Sequence, residues 1–182
     1  MEELTARFKT DDSLRVWNRK FITDALLRMS HGKCCYCECN ITEESKYIEV
    51  EHFRCKSIYP DDVLLWPNLL PACKRCNAAK GDHDVENAPI VNPVTDEPRE
   101  HLTFRVYRFY GKTEKGITTC LPSVLNLNDR DRLQIKRFEI GSKIKEELDD
   151  LEEQINDGLT TPRQWRRVAE KLRRLMRQGL PT

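Results

Sequence analysis

The run Cys73-Lys74-Arg75-Cys76-Asn77-Ala78-Ala79-Lys80-Gly81 decides how the chain is read. Its first four residues are a C-x-x-C pair, a tight turn that aims two sulfurs at one point. The rest has the make-up of a short helix stopped by glycine. Upstream, Cys34-Cys35-Tyr36-Cys37 contains a second C-x-x-C pair, and thirty-five residues separate Cys37 from Cys73. Two such pairs can close a tetrahedral four-thiolate site, and zinc suits four soft ligands with no open position. The spacing therefore predicts a structural Zn²⁺ held by Cys34, Cys37, Cys73 and Cys76. Cys35 and Cys39 flank the first pair and offer alternative sulfurs there, and an iron–sulfur cluster is the rival occupant. Cys35, Cys39, Cys55 and Cys120 do not pair at ligand spacing and read as free thiols. The N-terminus, Met-Glu-Glu-Leu-Thr-Ala-Arg, lacks the apolar core of a signal peptide, so metal binding is preferred to disulfides for the eight cysteines.

Between the pairs the chain runs Glu49-Val50-Glu51-His52-Phe53 and then Trp66-Pro67-Asn68-Leu69-Leu70. Tyr47 to Phe53 alternates and is rich in β-formers, so it reads as a strand. Residues 54–67, with two prolines and an Asp-Asp pair, read as a loop. Asn68 to Ala72 reads as a second short strand, and Lys74 to Lys80 as a helix. Sheet and helix together are too small to hold themselves without a metal staple.

Outward from this centre the pattern is simpler. Residues 13–30 read as one helix on the stripe Leu14, Trp17, Phe21 and Ala25, with Leu26 and Met29 beside it. Residues 84–101, with three prolines, read as an extended connector. Leu102 to Phe109 reads as a strand, with a turn at Tyr110-Gly111-Lys112. Ile144, Leu148, Leu151 and Ile155 mark a helix closing at Asp157-Gly158. Thr161-Pro162-Arg163-Gln164 offers a capping box for a last helix. Its stripe is Trp165, Val168, Ala169, Leu172, Leu175 and Met176, and Gly179 with Pro181 ends it. The expected division is 1–31 N-terminal helical segment, 32–83 metal-bracketed core, 84–128 connector with a β-strand, and 129–182 C-terminal helical region. The fold class is α+β.

Charged residues make up 34% and hydrophobic residues 38% of 182 residues, with a net charge of +1. A uniformly basic nucleic-acid coat is excluded. The charge is nevertheless uneven: residues 161–182 carry seven bases against one acid, and residues 129–159 six bases against ten acids. No apolar run is long enough for a membrane span, and a soluble, cytoplasmic protein is expected.

The order acid-His on a strand, Asn-Leu before a C-x-x-C, and Asn-x-x-Lys after it resembles the HNH endonuclease superfamily. The resemblance is to its zinc-knuckle subgroup with the ββα-metal core, and spans about residues 33–83. By that resemblance His52 is the general base and Glu51 a ligand of a catalytic Mg²⁺ or Mn²⁺. Asn68 fixes the loop and orients the base, Asn77 is the second metal ligand, and Lys80 serves the phosphate. Glu at 51 is one methylene longer than the commoner Asp, and Asn at 77 in place of His favours a hard cation. The chemistry is coherent in itself: hydrolysis of a phosphodiester needs an activated water, charge on the phosphate and help for the leaving oxygen. Adjacent strand residues point to opposite faces, so Glu51 and His52 need a bulge or a strand end to meet.

Three further runs extend the likeness: Gly32-Lys33-Cys34-Cys35-Tyr36-Cys37-Glu38, Ala88-Pro89-Ile90-Val91-Asn92-Pro93, and Leu125-Asn126-Leu127-Asn128 before Arg132. They are similar to the HNH subunits of Septu-type and retron-associated bacterial anti-phage systems. What that resemblance implies is a DNA substrate, an ABC-type ATPase partner and no membrane. The competing expectation is a zinc-ribbon subunit that binds nucleic acid or protein without catalysis. The basic last helix is expected to dock a partner rather than grip DNA.

Overall fold

A computed structural model describes residues 2–157 and 161–177, with Pro162 and residues 175–177 as backbone only. In chain order the elements are α1 (Glu2–Thr10), α2 (Lys20–Met29), α3 (Ile41–Ser45), β1 (Glu49–His52), β2 (Leu69–Ala72) and α4 (Lys74–Lys80). There follow α5 (Pro98–His101), β3 (Leu102–Arg105), β4 (Arg108–Gly111), α6 (Glu114–Cys120), α7 (Asp131–Asn156) and α8 (Pro162–Arg177). The mixture of helices and two small sheets is α+β.

The centre follows the sequence closely. β1 and β2 pair antiparallel, with Glu51 opposite Leu70 and His52 opposite Leu69. The first cysteine run folds back on itself: Cys34 N–H donates to Cys39 O at 2.9 Å and Glu38 N–H to Cys34 O at 3.0 Å. Cys35 N–H then donates to Pro71 O at 2.8 Å, fastening this knuckle to β2. Cys73 caps α4, its sulfur accepting from Cys76 N–H. The core runs from these cysteines through Ile41, Leu70 and Ala72 to Ile90, Leu125, Leu127 and Leu133, all buried.

Several expectations change. The helix expected over 13–30 forms only from Lys20. Asp11 takes the Ser13 N–H in a local turn, and Arg19 enters the helix in extended conformation, so Leu14 and Trp17 lie before it. The buried face of α2 is Ile22 and Leu26, while Phe21 and Met29 are exposed. The stripe is thus rotated by about one residue, roughly 100°. Ahead of this, α1 went unforeseen; its Phe8 packs with Val16, Val63 and Leu64.

The single strand expected over Leu102–Phe109 is a hairpin. Val106 and Tyr107 sit at φ 46° and 64°, the left-handed pair a two-residue turn demands. Phe104 lies opposite Phe109, their ring centroids 5.2 Å apart. The turn expected at Tyr110-Gly111-Lys112 is instead the end of β4 and its exit. Residues 112–120 add α6, capped by Thr113 on Gly116 N–H. Gly116 packs so tightly on the His101 carbonyl that an added Cβ would clash. The connector also holds α5.

The C-terminal helices form, and α7 begins far earlier than its apolar stripe, at Asp131. Leu151 is buried, while Leu148 and Ile155 are exposed. The capping box of α8 is present: Thr161 N–H donates to Gln164 Oε1 and Gln164 N–H to Thr161 Oγ1. α8 packs on α7. The stops at Gly158, Gly179 and Pro181, and the side chains of Leu175 and Met176, lie outside the described residues. Among the described residues no helix is long and apolar enough to cross a membrane.

Candidate functional site

Cys34, Cys37, Cys73 and Cys76 come together with sulfurs all within 4.8 Å of one another, and each is buried. Cys37 Sγ and Cys73 Sγ are 3.9 Å apart. A tetrahedral site with metal–sulfur bonds of about 2.3 Å needs sulfurs about 3.8 Å apart. Donor type, number and spacing therefore fit a metal ion. Cys35 and Cys39 fall outside the group, so the choice left open in the first run goes to Cys34 and Cys37. From α7, Arg130 Nη2 donates to Cys76 Sγ at 3.2 Å.

A different site is built along β1, from Glu49 opposite Ala72 to His52 opposite Leu69. β1 delivers Glu49, Glu51 and His52 to a cleft of about 650 Å³, also lined by Asn77 and Lys56. Glu49 was not foreseen, although the alternation that places Glu51 places residue 49 on the same face.

His52 ends β1 beneath Trp17, the ring centroids 4.8 Å apart and nearly perpendicular. Its Nε2 lies 3.0 Å from the Val63 carbonyl oxygen. A carbonyl only accepts, so Nε2 carries the proton and Nδ1 keeps its lone pair. Burial drops the pKa of this imidazole to about 4, against the pull of the Val63 hydrogen bond. The ring is neutral near pH 7.

Asn68 knits the loop that supplies that carbonyl. Its Oδ1 accepts from Arg54 N–H at 2.7 Å, and its Nδ2 donates to Arg54 O and Asp62 O, both at 3.1 Å. Buried and fully bonded to backbone, it holds the segment on which Val63 follows Asp62. Asn77 lies beside Glu49, its Nδ2 3.5 Å from Oε2.

The structure pairs Glu51 with Lys80 inside the core. Lys80 has no exposed side-chain surface; its Nζ sits 2.7 Å from Glu51 Oε1 and donates to the His52 carbonyl at 2.9 Å. A buried ammonium committed to two acceptors is not placed to meet a phosphate, so Lys80 is a counter-charge within the core. Tyr36 donates to the same Glu51 oxygen at 3.2 Å. Burial lifts the Glu51 carboxyl to about 7, with Lys80 and Tyr36 pulling it back down. Tyr36 sits inside the first cysteine run, and nothing in the spacing announced it as a partner for residue 51. Glu51 and His52 do diverge, one toward Lys80 and the other toward Val63, yet both line the cleft. His52 is the last residue of the strand, which answers the geometric problem the adjacency posed.

The cations that do face the cleft are Arg15, Lys56 and Lys74. Lys56 Nζ stands 5.5 Å from the Trp17 ring centroid.

No family model matches the chain. It is 51% identical over 136 residues to a protein of Bacillus thuringiensis called Septu protein PtuB; the match covers 75% of this chain and 52% of that protein. A second Septu protein PtuB, from Bacillus mycoides strain KBAB4, is 30% identical over 173 residues, covering 77% of this chain and 56% of that protein. The chain thus spans about half the length of the curated relatives it matches.

Proposed function

We propose that the chain is the nuclease component of a Septu-type anti-phage system, a metal-dependent HNH endonuclease that hydrolyses DNA phosphodiester bonds in the His52 cleft. An ABC-type ATPase is its partner, and the four-cysteine centre carries a structural zinc. The observation that carries the catalytic reading is the fixing of His52: Nε2–H is spent on the Val63 carbonyl, and Asn68 holds the loop that presents it. Such an imidazole offers Nδ1 as a neutral proton acceptor for a water in the cleft. The likeness to the two Septu proteins supports the biological setting.

In this reading His52 takes the water's proton at Nδ1. Asn68 keeps the ring from turning by holding the Asp62–Val63 segment. Arg15, Lys56 and Lys74 draw the phosphodiester backbone to the cleft, the task first given to Lys80. Lys80 keeps Glu51 in place. A Mg²⁺ or Mn²⁺ would be held by the oxygen donors of Glu49, Glu51 and Asn77 and would supply positive charge to the phosphate.

One observation favours the rival, a binding subunit without catalysis: the Glu51 oxygen Oε1 is already engaged by Lys80 and Tyr36. Supercoiled plasmid separates the two. The nuclease reading expects nicking with Mg²⁺ or Mn²⁺ and none with EDTA. A wild-type protein that binds plasmid but never nicks it, with either ion, sustains the rival.

A further inference from the structure

Two arginines, half-buried Arg130 at the N-cap of α7 and buried Arg137 within it, hold buried guanidinium nitrogens with no carboxylate partner among the described residues. Arg137 has no exposed surface, and only its Nη1 is hydrogen-bonded, to the Tyr107 and Leu127 carbonyls at 3.2 and 2.9 Å. Its Nε and Nη2 have no hydrogen-bond partner among the described residues, and the Phe109 ring lies 4.7 Å from its guanidinium carbon. Seven residues earlier, Arg130 buries Nε and Nη1, also without partners. Neither arginine forms an ion pair with Asp or Glu among the described residues. Glu44 acts on Arg130 at longer range, but its carboxylate stands 3.5 Å from Arg75. A guanidinium cannot shed its proton to escape burial, so a buried one needs an anion.

The anion facing Arg130 is the Cys76 sulfur, 3.2 Å away and 54 residues distant in sequence. Four thiolates around one divalent ion carry a net charge of about −2, and Arg130 lies directly against one of them.

We infer that the metal centre is the counter-ion that fastens the C-terminal helical arm: the loaded four-thiolate site holds Arg130, and through it the start of α7, against the two cysteine knuckles. The inference rests on reading the four cysteines as a metal centre. Without metal the sulfur that Arg130 bonds is no longer held in place by an ion, and the first turns of α7 loosen. α8 packs on α7 and moves with it, so metal loading sets the position of the basic helix. By linkage the coupling runs both ways, and removing Arg130 weakens the metal.

The test uses the full chain and zinc itself. Competition with a chromophoric chelator should show zinc held about 10–100-fold more weakly in Arg130→Gln, the usual loss when a hydrogen bond to a metal ligand is removed. Arg130→Lys, which keeps the charge, should recover part of it. In cobalt-loaded protein, the thiolate-to-metal charge-transfer bands should shift in Arg130→Gln, because the hydrogen bond to one ligand is gone. At saturating zinc, amides at the start of α7 should exchange faster in Arg130→Gln while β1 and α2 stay protected. Wild-type zinc affinity, unshifted cobalt bands and unchanged α7 exchange in a zinc-loaded Arg130→Gln protein would overturn the inference alone. A folded wild-type protein that takes up no metal would overturn the metal reading and the inference together.

Discussion

Cys73 and Cys76 stand at the start of α4 and Asn77 and Lys80 follow them, so one seven-residue helix serves two sites of opposite character. At the cysteine centre every donor is inaccessible, all four sulfurs converge, and nothing is left over for a substrate. At the His52 cleft the side chains are buried at their roots but open on about 650 Å³, and two of them titrate far from their ordinary values. A closed set of identical soft donors is what a structural ion needs. A half-open set of unlike groups with displaced pKa values is what proton transfer needs. The difference teaches that one short helix and one small sheet can present two donor sets of opposite character.

The largest effect should come from the closed set. Cys73→Ser removes one donor from the proposed zinc site; structural zinc contributes on the order of 10 kcal/mol in small zinc domains. The variant should be unfolded or insoluble, while wild-type protein carries about one zinc per chain by elemental analysis. Normal zinc content and melting in Cys73→Ser would break the contrast.

The next effect is at the buried pair. Removing one member of a buried ion pair costs about 3–5 kcal/mol, whereas an exposed cation costs little. Urea unfolding should show Lys80→Ala destabilised by about that amount and Lys56→Ala within about 0.5 kcal/mol of wild type. Lys56→Ala should instead weaken plasmid binding and flatten its salt dependence. A stable Lys80→Ala protein with lost DNA affinity would restore the phosphate role to Lys80.

A smaller effect distinguishes the two displaced groups by pH. Glu51 has its folded pKa raised from 4.5 to about 7, so between those values the folded state holds more protons than the unfolded one. Its contribution to stability therefore falls as pH rises through that window. His52 has its folded pKa lowered from 6.5 to about 4, so the unfolded state holds more protons and stability rises with pH between them. The two oppose each other from pH 4.5 to 6.5. In Glu51→Gln only the rising limb remains, so the Tm of the variant should climb relative to wild type across that window. A constant difference between the two Tm curves would contradict the displaced Glu51.

The smallest effect concerns α8. Reversing exposed Arg166 and Arg173 to Glu should leave plasmid nicking intact and abolish co-purification with the ATPase partner. Lost DNA affinity with partner binding retained would move this helix to the substrate side.

The cysteine centre was legible because ligand spacing is a local code: two C-x-x-C turns specify four sulfurs whatever lies between. β1, β2 and α4 were legible for the same reason, their ends fixed by the knuckles. The fate of Lys80 was not, because nothing in Asn-x-x-Lys says whether the ammonium turns outward or in; only the position of Tyr36 and Glu51 decides it. The hairpin at Val106-Tyr107 hid because its turn uses a β-branched and an aromatic residue where Asn-Gly is the usual signal. Arg130 and Arg137 hid in a run of mixed charges, where nothing marks which bases turn inward. Their burial depends on contacts with residues about 30 to 54 positions away.

The most direct test measures zinc content and divalent-cation-dependent plasmid nicking on the same preparation of His52→Ala. The account predicts about one zinc per chain and wild-type melting, with nicking reduced by on the order of 10²–10⁴. Wild-type nicking by a folded, zinc-loaded His52→Ala protein would contradict it.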